Sequence, residues 1–96
     1  MKHLKVSLEL LASDKGGRQG AMKSGYLGNL FVGGRYTGVR IDLSDRSELA
    51  PGERDQATAV LPNWEYVSHL VREGSPFELR EGEHLIARGV VLQVET

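Results

Sequence analysis

The segment from residue 16 to residue 34 constrains this chain more than any other. Gly16, Gly17, Gly20, Gly25, Gly28, Gly33 and Gly34 stand too close together for a helix to run through them, since each interior glycine costs about 1 kcal/mol against alanine. From Gly17 the segment reads G-R-Q-G-A-M-K-S, which approaches the phosphate-loop pattern with Lys23 and Ser24 in place but Met22 where the second glycine belongs. A phosphate loop also needs a buried strand leading into it and a helix leading out. Neither is written here, so nucleotide binding is not expected of this loop.

Outside that segment the dominant signal is a period of two. Residues 3–11, HLKVSLELL, set Leu4, Val6, Leu8 and Leu10 on one face and Lys5, Ser7 and Glu9 on the other, as a half-buried strand does. In residues 36–43, Val39, Ile41 and Leu43 oppose Arg40 and Asp42. Strand signals return at QATAVLP, at FELRE and at HLIARGVVLQVE, where Leu85, Ala87 and Gly89 are read on one face and Ile86, Arg88 and Val90 on the other. Pro51-Gly52 is the sharpest turn signal. The stretch WEYVSHLVR, residues 64–72, breaks the alternation and has room for a turn of helix. Short strands with glycine turns predict an all-β fold, and closing a small sheet into a barrel removes both of its edges.

Ninety-six residues provide for one domain, residues 1–96, with a single core. The chain has no cysteine, which excludes disulfides and thiolate metal sites. His3, His69 and His84 are scattered and lack metal-ligand spacing. No nucleophile, base and orienting acid assemble from the sequence, so neither an enzyme nor a cofactor is expected. The N-terminus lacks a signal-peptide core and no run suits a membrane span; a cytoplasmic protein is the expectation. A net charge of −1 conceals an asymmetry. Before residue 44 Lys2, Lys5, Lys15, Arg18, Lys23, Arg35 and Arg40 outnumber Glu9, Asp14 and Asp42, and after it the acids outnumber the arginines.

Several motifs, taken in order, resemble the third domain of bacterial elongation factor Tu, the C-terminal β-barrel of that translation GTPase. Gly16-Gly17-Arg18, six residues and Gly25-Tyr26 match its first loop, and Thr37-Gly38 the opening of its next strand. Pro51-Gly52 in ELAPGERD matches its Pro-Gly turn, and Phe77-Glu78-Leu79-Arg80-Glu81-Gly82 followed by Gly89-Val90-Val91 its C-terminal signature. The set spans nearly the whole chain. It implies a small closed six-stranded antiparallel β-barrel, and a glycine loop on the face that in the family meets aminoacyl-tRNA. The family's GTP chemistry belongs to another domain, so no GTP binding is implied. The chain departs from the family after Tyr26, where Leu27-Gly28-Asn29-Leu30-Phe31-Val32-Gly33 replaces a basic, aromatic run, and at Asn63-Trp64-Glu65-Tyr66, Glu83 and His84.

The candidate binding residues are therefore Arg18, Lys23 and Arg35 for charge, and Tyr26, Phe31, Trp64 and Tyr66 for aromatic contact. Trp64 and Tyr66, two apart, share a face if extended; the competing reading is that they cap one end of the barrel. Tyr26 and Phe31 are also read as core or rim residues. The expected function is a non-catalytic binding module, contacting a protein partner or tRNA in or near translation. The rival expectation is a decoy, immunity or regulatory protein that mimics the elongation factor.

Overall fold

The computed structural model describes residues 1–12 and 20–95. Its strands are β1 (Lys2–Leu10), β2 (Met22–Lys23), β3 (Tyr26–Val32), β4 (Arg35–Leu43), β5 (Glu48–Leu49), β6 (Arg54–Leu61), β7 (Pro76–Glu81) and β8 (His84–Val94), with one short helix, α1 (Trp64–Val67), running into a 3-10 turn, Ser68–Leu70. Six of the strands form a closed antiparallel barrel in the order β1-β6-β4-β3-β7-β8, with β8 back against β1. β2 and β5 make a separate two-stranded pair. The fold is the small all-β barrel that the alternation implied.

The alternating residues line the barrel. Leu4, Val6, Leu8 and Leu10 of β1 meet Val39 and Ile41 of β4, Leu30 of β3, Leu79 of β7 and Ile86 of β8 in one core, all almost fully buried. Burying a side chain of this size is worth roughly 1.5–3 kcal/mol. The 3-10 turn and α1 close one barrel end through Val67 and the partly buried Trp64, while Leu70 packs on Gly33.

Three details depart from the sequence reading. Tyr26–Val32 is a strand, although Gly28, Asn29 and the exposed Leu27 hide its period. In β8 the strict alternation fails: the register against β7 shifts between Leu79 and Arg80, and Ile86 and Ala87 are both buried. Residues 64–70 are helical, so Trp64 and Tyr66 do not share a face as they would in an extended segment. Trp64 packs against the core and Tyr66 is exposed.

The barrel order also sets strands of the basic first half beside strands of the acidic second half. Arg54 of β6 and Arg88 of β8 flank Glu9 of β1, at 3.4 and 3.8 Å from its Oε1. An acid of the basic half thus meets two arginines of the acidic half across the seams. Among the described residues no helix is long and apolar enough to cross a membrane.

Candidate binding face beside the Gly33-Gly34 turn

The face begins with a two-residue hairpin. Val32 pairs with Arg35 across Gly33-Gly34, and both glycines have positive φ, 56° and 87°. That backbone is the tight hairpin turn whose twist matches its strands, and it favours glycine at both positions. The turn fixes the register that puts Phe31 directly opposite Tyr36. Their rings stand with centroids 4.7 Å apart, tilted by 51°.

β7 completes the cluster from the other side of β3. Glu78 lies opposite Phe31, and Arg80 opposite Asn29. The Arg80 guanidinium carbon sits 4.3 Å from the Phe31 ring centre and 5.7 Å from that of Tyr36. Its Nη1 donates to the Tyr36 hydroxyl at 2.7 Å, and its Nε donates to Glu78 Oε1 at 2.9 Å. The hydrogen bond to Glu78 comes first among the causes that hold the Arg80 pKa above its ordinary value, followed by that to Tyr36. The cation is therefore permanently charged, partly neutralised by Glu78, and clamped over two aromatic rings.

A second cation packs on a different ring. The Arg35 guanidinium carbon lies 4.9 Å from the ring centre of Tyr66, which α1 carries into solvent. Below, Lys2 Nζ is 5.4 Å from the Trp64 ring centre. Between the β4 side and the α1 side runs an open cleft of about 710 Å³, with Asn29, Tyr36 and Gly38 on one wall and Pro62, Asn63 and Tyr66 on the other. Glu65 stands at its rim. Tyr36 and Tyr66 are 42% and 52% exposed.

Of the residues singled out in the sequence, Phe31 packs with Tyr36 and Arg80, and Arg35 packs with Tyr66 on the other side of the cleft, while Trp64 packs against the core as part of the barrel cap. Tyr26 lies at the other end of β3, its ring against Gly28 and its hydroxyl donating to Glu81 Oε2 at 2.9 Å. Lys23 is on β2, opposite Glu48 of β5. Its neighbour Ser24 accepts a hydrogen bond from the Leu43 amide at 2.9 Å, and the Gly25 amide donates to the Ile41 carbonyl at 2.7 Å. The segment MKSG thus docks on the end of β4. Arg18 lies outside the described residues.

Tyr36 and Arg80 were not singled out from the sequence. The string FVGGRY carries the signal for Tyr36, because a Gly-Gly hairpin dictates that the aromatic residues flanking it pair. Arg80 has no such local signal, since β7 reaches β3 from far along the chain. Among the described residues no group of three or more His, Asp or Glu is placed to hold a metal ion.

No protein-family model matches the chain, and no curated protein matches it significantly.

Proposed function

We propose that this chain is a non-catalytic binding module that takes a protein partner on the face formed by Phe31, Tyr36, Arg80, Arg35 and Tyr66. The observation that carries the reading is a cleft lined by the exposed rings of Tyr36 and Tyr66, with Phe31 and Arg80 packed against Tyr36 and Arg35 packed against Tyr66. Tyr, Trp and Arg dominate the energetics of protein interfaces, because they bury large area while keeping a polar head. Charge favours a protein over tRNA here: Arg80 is paired with Glu78, Glu65 lies at the rim, and Lys23 is at the other end of β3. A phosphate-binding face needs uncompensated cations. The resemblance to the third domain of elongation factor Tu supports a role in or near translation.

The test is capture from a lysate of the source cell on the immobilised full chain. It compares the natural sequence with a Tyr36→Ala/Tyr66→Ala variant and an Arg18→Glu/Lys23→Glu variant, each checked for an unchanged circular dichroism spectrum. The expected result is one stoichiometric protein held by the natural chain and the charge-reversed variant. Its affinity for the tyrosine variant should be lower by about 30-fold or more, the size of one interface hot spot. Enrichment of tRNA instead, falling steeply with salt and lost on charge reversal at Arg18 and Lys23, would overturn the protein reading.

A further inference from the structure

The cleft contains an unfinished sheet edge. β3 pairs with β4 along its length, from Arg35 to Ile41, but β6 pairs with β4 only over Arg40–Leu43. In a hairpin with a two-residue turn, the residues flanking the turn exchange hydrogen bonds and the pattern then alternates. Arg35, Thr37 and Val39 therefore turn their backbone groups toward β3, and Tyr36 and Gly38 turn theirs toward the cleft. The bond from Gly25 to the Ile41 carbonyl agrees with this phase. Continuing the β6 register from Arg40↔Val60 would bring Pro62 opposite Gly38. Proline has no N–H, so it cannot donate to the Gly38 carbonyl, and the chain leaves the sheet there for α1. Among the described residues no backbone group hydrogen-bonds Tyr36 or Gly38 on this side.

We infer that the cleft accepts an extended polypeptide segment, which adds as a strand along the Tyr36–Gly38 edge of β4. Unpaired N–H and C=O groups along a strand edge are a template for another chain, and proteins that use them gain affinity from the backbone and selectivity from the side chains. Here the walls supply the selectivity. Tyr36 and Tyr66 offer ring faces to β-branched or aliphatic side chains of the incoming strand. Glu65, for which no ion pair is found among the described residues, favours a basic residue on the same segment. This inference rests on the reading that the face takes a protein partner, and it states how the partner is held.

Gly38 is the residue through which to test it. A Cβ there meets nothing within 4 Å, so Gly38→Ala leaves the edge and the fold as they are. Gly38→Pro removes the N–H that faces the cleft and none that faces β3, and its ring blocks the edge. The probe is the blocked peptide acetyl-Lys-Val-Thr-Val-Thr-Val-Lys-amide, titrated into the isotopically labelled full chain and read by amide chemical shifts. Saturable shifts at Tyr36 and Gly38 are expected. The affinity should be several-fold weaker with Glu65→Lys than in the natural chain, and at least tenfold weaker with Gly38→Pro than with Gly38→Ala, which keeps the N–H. If Gly38→Pro does not fold, the natural chain still decides: saturating peptide should slow hydrogen exchange at the Tyr36 and Gly38 amides tenfold or more. Shifts elsewhere with these two amides unmoved, unaltered affinity in Gly38→Pro, or no shift up to the solubility limit of the peptide would each overturn strand addition. A natural protein partner that needs Tyr36 and Tyr66 but ignores Gly38→Pro would leave the proposed function standing and remove this inference alone. Peptide pairing at the edge with only tRNA captured from the lysate would do the reverse.

Discussion

Gly38 and Gly89 are both strand glycines without positive φ, yet their surroundings are opposite. A Cβ on Gly89 would collide with the Ser7 carbonyl oxygen and lie 2.5 Å from the ring of Phe77, its cross-strand neighbour. A Cβ on Gly38 would meet nothing. The first glycine lets β7, β8 and β1 close tightly over the core. The second lies on a stretch of β4 that the barrel does not cover. Closed seams hold this fold together, while the open one is where the molecule has surface to spend on recognition.

That contrast breaks first in the core. Leu30→Ala, beneath the closed β3–β4–β7 seam, should lower unfolding free energy by about 3 kcal/mol, the usual cost of a buried leucine truncation, measured by urea denaturation. Gly89→Ala should cost about 2 kcal/mol, because backbone and a buried ring must both shift to admit the methyl. Loss of less than half that amount would mean the β1–β8–β7 seam is looser than its geometry. Tyr26→Phe removes one exposed hydrogen bond to Glu81 and should cost about 0.5 kcal/mol. Gly38→Ala should be neutral or stabilise by up to about 0.5 kcal/mol, since alanine loses less backbone entropy in a strand. The sharpest variant is Pro62→Ala, which restores an N–H opposite the Gly38 carbonyl. It should change stability by less than about 1 kcal/mol, because the new ladder bond offsets the extra freedom of the unfolded chain, while weakening peptide binding at the edge.

How far the sequence foretells these features depends on how local they are. β1 and β4 are legible because Leu4, Val6, Leu8 and Leu10, and Val39, Ile41 and Leu43, keep one face buried from end to end. β3 is not, because Gly28 makes room for the Tyr26 ring and Leu27 stands exposed, so its pattern serves neighbours rather than a uniform inner face. The bulge in β8 is invisible for a similar reason, being set by the pairing with β7. Phe31, Arg35 and Tyr66 are recognisable as candidates by type. That Phe31 meets Tyr36 and Arg35 meets Tyr66 is a product of the Gly-Gly hairpin and of the chain turning into α1 at Pro62. Arg80 joins them only through a strand pairing that links residues 29–31 with 78–80.

The central claim, that β4 is closed along β3 and open on its other flank over Tyr36–Gly38, is tested most directly by residue-resolved amide hydrogen exchange of the chain alone. Thr37 and Val39, bonded to β3, should be protected, while Tyr36 and Gly38 should exchange at close to the rate of an unstructured peptide. Equal protection of all four would mean that the edge is closed, and would contradict the account.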